Sequence, residues 1–130
     1  MKRFLLPLLL LSLPVHAATV TIKWVPPTTD VAGDPIPATG ATSLAKVVVE
    51  RGTCVGTPVT FGVKAEEKSI PVPATETTFE NIPNNSTNCY RAKAFLVNNE
   101  ASAWSNVVQR TITTPGPNAP VLNGTITIQW

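Results

Sequence analysis

The chain has 130 residues, with ten Lys and Arg against eight Asp and Glu, two Cys, 13 Pro and one His. That length allows one domain with a short appendage, and the 14% of charged residues, against roughly 25% in ordinary soluble domains, leaves room for Thr, Val, Pro and Asn, which favour strands and turns over helices. The net charge of +2 resides in Lys2 and Arg3, so the rest of the chain is neutral and gives no electrostatic case for nucleic acid.

Lys2 and Arg3 precede an apolar run from Phe4 to Leu13, broken only by Pro7 and Ser12. Leu13-Pro14-Val15-His16-Ala17 then supplies a helix break and a cleavable end. This layout is that of a secretory signal peptide, and ten apolar residues cannot cross a bilayer core that needs about 20. Residues 1–17 are therefore expected to leave, giving a secreted or periplasmic protein that starts near Ala18 and keeps no membrane anchor. Residues 18–114 form the expected domain and residues 115–130 a tail.

Thr19 to Trp24 alternates Val20, Ile22 and Trp24 against Thr19, Thr21 and Lys23, the period of a half-buried strand. Pro26-Pro27 ends it, since neither proline donates to a ladder. Thr28 to Thr42, with Gly33, Pro35, Pro37 and Gly40, reads as a long loop. Leu44 to Arg51 is a second strand, dense in Val47, Val48 and Val49, and Gly52 to Gly56 is expected to turn the chain. Val59 to Val63 and Ser69 to Val72 read as short strands around a charged turn, Lys64 to Lys68. Glu76 to Ile82 is a further strand, followed by a polar loop from Asn81 to Asn88. Cys89 to Val97 alternates Tyr90, Ala92 and Ala94 against Arg91 and Lys93, and Trp104 to Ile112 is the last strand of the run. Seven or so short strands with turns between them predict an antiparallel β-sandwich with almost no helix. The one helix candidate, Val63 to Ile70, is too short and too charged to present a core face.

Cys54 and Cys89 both lie in the exported part, and an even pair in an oxidising compartment reads first as a disulfide. It would close a loop of about 35 residues, worth about 3 kcal/mol on the chain-entropy model. Without a C-x-x-C spacing or a His partner, redox and metal roles are not expected.

Several segments carry a family resemblance. Val20-Thr21-Ile22-Lys23-Trp24-Val25-Pro26-Pro27-Thr28, Ser43 to Thr53, Phe79-Glu80-Asn81-Ile82-Pro83-Asn84 with Tyr90-Arg91-Ala92-Lys93-Ala94, and Glu100-Ala101-Ser102-Ala103-Trp104-Ser105-Asn106-Val107-Val108 occur in the order of a fibronectin type III module of bacterial or phage type. The resemblance implies an immunoglobulin-like β-sandwich. Trp24, Val47, Val49, Phe79 and Tyr90 would form its core, and Tyr90 would bond its hydroxyl to upstream backbone as a tyrosine-corner residue. It also makes the end of the Ser43–Thr53 strand and the start of the Tyr90 strand neighbours, where Cys54 and Cys89 could bridge. The loop before Tyr90 is longer than the family's, and Cys89 is not a family feature. A module of this kind begins with a strand upstream of the Trp-bearing one, which is missing here. Pro117 to Gly124 resembles that first strand, and Thr125 to Trp130 is either a near repeat of Thr19 to Trp24 or a chance alternation of Thr with Val and Ile. The tail thus has an edge to seek, in its own domain or in a neighbour, where it would support self-association.

The residues carry little chemistry. His16 leaves with the leader, which excludes Ser-His and Cys-His catalysis, and no enzymatic activity or cofactor is expected. Asp30 with Asp34, and Glu66 with Glu67, read as solvated turn acids rather than a glycosidase pair facing across a cleft. Calcium at Asp30 and Asp34 is the weaker alternative, and no metal site is expected. Asn84-Asn85-Ser86 and Asn85-Ser86-Thr87 are glycosylation sequons, meaningful only in a eukaryotic secretory route. Trp24 reads as core, whereas Trp104 and Trp130 are candidates for a binding surface.

Two function classes follow. One is an exported non-enzymatic binding or structural module, an adhesion, host-surface or virion-associated protein whose partner is a protein or a cell-surface glycan. The other is a carbohydrate-binding or enzyme-accessory module, which calls for a planar cluster of exposed Trp and Tyr.

Overall fold

The computed structural model describes residues 17–113 and 121–129. Seven strands follow one another: β1 (Ala17–Val25), β2 (Leu44–Val55), β3 (Thr60–Pro71), β4 (Glu76–Pro83), β5 (Ser86–Leu96), β6 (Val108–Ile112) and β7 (Val121–Thr127). They build two packed sheets, one of order β4-β1-β7 and one of order β3-β2-β5-β6, and no helix occurs among the described residues. The expected all-β architecture of two packed sheets is present. Residues 1–16, which include most of the expected leader and His16, and the segment 114–120 lie outside the described residues.

The core follows from period-two alternation. Val20, Ile22 and Trp24 of β1, Phe79 and Ile82 of β4, and Ile126 of β7 face Val47 and Val49 of β2 and Tyr90, Ala92 and Ala94 of β5. Each of these eleven is buried, and together they are what makes one sheet adhere to the other. Tyr90 packs its ring on Phe79 with centroids 5.2 Å apart.

Strand limits differ from the sequence reading in four places, each with a physical reason. Gly52 does not turn the chain: β2 runs on to Val55 through irregular register at Arg51, Gly52 and Cys54. A Cβ on Gly52 would collide with the Val63 carbonyl and the Phe61 ring, so this glycine marks a close backbone approach rather than a turn. Lys64 to Lys68 is not a turn either but the middle of one strand, β3. Its charges alternate to ion partners, Lys64 to Glu50 and Glu67, and Glu66 to Arg51. The polar loop before Cys89 shrinks to a corner at Asn84 and Asn85, because β5 already begins at Ser86. Finally, residues 102–107 precede β6 as irregular chain. They lie along β5, where the Ser102 and Ser105 hydroxyls accept from the Ala94 and Ala92 amides at 2.8 and 2.9 Å.

β7 lies on the free edge of β1 within its own chain, parallel to it from Thr19 opposite Val121 to Val25 opposite Thr127. That register sets Trp24 against Ile126, so the similar stretches Thr19–Trp24 and Thr125–Trp130 are out of step. The two sheets meet along two seams. At one, Lys68 of β3 donates its ammonium to the Thr78 carbonyl of β4. At the other, Arg110 of β6 donates Nε–H to the Asn123 carbonyl of β7 at 2.9 Å, and the Thr127 amide donates to Asn106 Oδ1 at 2.9 Å.

Candidate functional site

The disulfide is present: Cys54 and Cys89 are bonded across β2 and β5 with Cα atoms 5.3 Å apart. No free cysteine occurs among the described residues. The core residues stand where the sequence places them, with Trp24, Val47, Val49, Phe79 and Tyr90 all buried. The tyrosine-corner bond does not form. The Tyr90 hydroxyl is buried with no hydrogen-bond partner among the described residues, because the corner at Asn84 and Asn85 is short and β5 carries Tyr90 in regular pairing with Arg51 and Val108. Burial pushes its phenol up from 10.0 to about 12, with Arg51 pulling the other way.

Asp30 and Asp34 belong to one loop turn. Asp30 Oδ1 accepts from the Ala32 and Asp34 amides at 2.9 and 3.0 Å, which is an Asx turn. No cluster of three or more metal-ligating side chains occurs among the described residues.

The outer face of the β3-β2-β5-β6 sheet carries the most organised surface chemistry. With Val47, Val49, Ala92 and Ala94 turned inward, Lys46, Val48 and Glu50 of β2 and Arg91, Lys93 and Phe95 of β5 turn outward by alternation. There the Arg91 guanidinium lies 4.1 Å from the Phe61 ring centre and 3.8 Å from that of Trp104. The Lys93 ammonium is 4.3 Å from the Trp104 ring centre and 5.4 Å from that of Phe95, and Lys46 approaches Phe95 at 5.2 Å. Aromatic rings and cations thus alternate along a ladder, Phe61–Arg91–Trp104–Lys93–Phe95–Lys46. Each step contributes about 0.5–1 kcal/mol at a partly exposed site.

The two ends of the ladder differ electrically. Arg91 donates Nε–H and Nη2–H to Glu50 Oε1 at 3.1 and 3.0 Å. Lys46 and Lys93 have no carboxylate within 4.0 Å among the described residues and hold their ammoniums against rings instead. One end is neutralised and the other stays cationic.

Trp104 is half-buried, and its position rests on Ser102 and Ser105, whose hydroxyls tie the flanking chain to β5. Phe61, Lys46, Lys93 and Phe95 escaped sequence reasoning. The alternation of Arg91, Lys93 and Phe95 was available as a signal, but the approach of Phe61 and Trp104 depends on pairing across strands. Trp130 lies outside the described residues; a cleft of about 400 Å³ lined by Trp104, Asn106, Thr127 and Gln129 adjoins the end of β7. At the pole where β1 ends, an open apolar concavity of about 410 Å³ is framed by Trp24, Pro27, Pro37, Leu44, Val72 and Pro73, with no charged residue in its wall. Trp24 and Tyr90 are buried, so among the described residues Trp104 is the only Trp or Tyr at the surface.

No family model matches the chain. No curated protein and no solved structure matches it.

Proposed function

We propose that this chain is an exported, non-enzymatic binding or structural module, working at the cell envelope, the cell surface or a virion through protein–protein contacts. The observation that carries the reading is the ladder on the outer sheet face. Its cations are held in place by rings before any partner arrives, which lowers the ordering cost of binding. Trp and Arg are the side chains that most often anchor protein interfaces, and the unneutralised Lys46 and Lys93 give the face a polarity that an acidic partner surface complements.

Two further observations support the compartment and the fold family. The Cys54–Cys89 disulfide is compatible with an oxidising location outside the cytoplasm. The pairing of the Trp24 strand with β4, and the run β2-β5-β6 with β3 beside β2, is compatible with an immunoglobulin-like sandwich of the fibronectin type III kind. A phage-encoded adhesion or surface protein is the narrower form of this reading, supported only by the sequence resemblance.

Site-specific photo-crosslinking tests it. A crosslinker at Trp104 or Phe61 of the exported protein in its producing cell is expected to capture a discrete protein, and one at Glu80 on the opposite sheet is not. Lys46→Glu with Lys93→Glu should weaken that capture about tenfold. Equal capture from Glu80, or none from the ladder, would overturn the proposal.

A further inference from the structure

The edge of β1 is a slot with definite requirements. A Cβ on Gly124 would meet Val108 Cγ1 at 2.9 Å and Ile22 Cδ1 at 3.0 Å, so any larger residue forces those side chains to shift where β7 passes between β1 and β6. Two and four residues on, Ile126 and Ile128 are buried in the core cluster, and Leu122 packs against it from the other side of Gly124. The slot also reads main chain: Arg110 takes the Asn123 carbonyl, Asn106 takes the Thr127 amide, and Val25 takes the Ile128 amide at 3.3 Å. It therefore selects an extended Leu-x-Gly-x-Ile-x-Ile strand.

We propose that this slot also accepts β7 from a second copy of the chain, so that the protein exchanges its last strand between copies. The inference is independent of the partner proposed above. Three observations point to a second copy as the occupant. The selective features of the slot are met by this chain's own residues 122–128, so every copy carries a strand that fits. All the contacts just named run between residues 122–128 and parts of the chain before residue 114, so they are reproduced unchanged when the donor is another molecule. β7 itself has no ionisable side chain, so two copies exchange it without moving charge.

Because a tethered strand experiences a local concentration in the millimolar range, the closed form dominates in dilute solution and exchange appears on refolding at about 1 mM. Lys23 and Thr125 are opposite each other in the β1–β7 register and both exposed, which suits a cysteine trap. A single chain carrying both Lys23→Cys and Thr125→Cys, refolded dilute under oxidising conditions, is expected to close an intramolecular bond. A chain with Lys23→Cys alone, co-refolded at about 1 mM with a chain bearing Thr125→Cys alone, is expected to give a 23–125 crosslinked dimer by peptide mass mapping. Its yield should be at least tenfold above that from a Thr125→Cys chain that also carries Gly124→Val, whose branched side chain crowds Val108 and Ile22. If the double variant closes but the mixed chains give no crosslink above that control, exchange does not occur. If the double variant does not close, the slot itself is wrong.

Discussion

Removing the hydroxyl of Tyr90 should stabilise the protein. The side chain is fully buried and its oxygen has no partner among the described residues, whereas in the unfolded chain water satisfies it. Leaving a buried hydroxyl unpaired costs about 1–3 kcal/mol, and Tyr90→Phe keeps the ring on Phe79. A gain of about 1–2 kcal/mol is expected, or about 4 °C in Tm for each kcal/mol in a domain of this size. A second, independent signature is the alkaline limb. With the native phenol raised from 10.0 to about 12 by burial, the unfolded chain releases its proton first as pH rises. Below pH 10 this group makes stability neither rise nor fall; between 10 and 12 the native state binds more proton, so stability drops. The drop is about 1.4 kcal/mol per pH unit, roughly 2–3 kcal/mol in all by pH 12. Chemical denaturation of wild type and Tyr90→Phe across pH 8–12 isolates the effect, because every other titrating group is common to both. The stability difference should widen with pH. A variant that is less stable than wild type at pH 8 would mean that the hydroxyl is bonded as in a tyrosine corner and that the reasoning fails.

Two other substitutions probe the scaffold. Replacing Cys54 and Cys89 together by Ala should lower unfolding free energy by about 3 kcal/mol, as expected for a loop of 35 residues, and dithiothreitol should reproduce the loss in wild type; a variant within 0.5 kcal/mol of wild type would contradict it. Ser102→Ala leaves the Ala94 amide without its hydroxyl acceptor and is expected to cost about 1–3 kcal/mol, with a blue-to-red shift in Trp104 emission as the loop lifts from β5. Unchanged emission and stability would show that Ser102 does not hold that loop.

Much of the sandwich was legible because alternation is a local signal. Val20, Ile22 and Trp24, or Tyr90, Ala92 and Ala94, declare which way each strand faces without reference to any other. The sequence is ambiguous where a residue type has two physical uses. Gly52 signals a turn from composition, yet here it admits the neighbouring strand. The charges from Lys64 to Lys68 resemble a turn, but in an edge strand they are satisfied alternately on its two faces. Tyr90 was recognisable as core, whereas the fate of its hydroxyl depends on the length of a corner that the pattern Asn81–Asn88 does not fix. The ladder was harder still, since Phe61 and Arg91 are thirty residues apart in sequence and meet only because β3, β2 and β5 are adjacent. The tail's place beside the Trp24 strand was an expectation of the resemblance; its parallel direction was not, because hydrophobic alternation reads the same both ways.

The cations at the two seams have a consequence for how far the sheets can grow. β4 and β7 are the outer strands of the three-stranded sheet, and each has a main-chain carbonyl occupied by a long cationic side chain from across the seam, Thr78 by Lys68 and Asn123 by Arg110. An incoming strand would have to displace a charged donor before making its first ladder bond, and would then lie beside that charge. Residues 18–130 carry no net charge to keep copies apart, so Lys68 and Arg110 are the local obstacle to sheet propagation at these two edges. At both edges of the three-stranded sheet the barrier to a further strand is thus a single local charge rather than bulk repulsion.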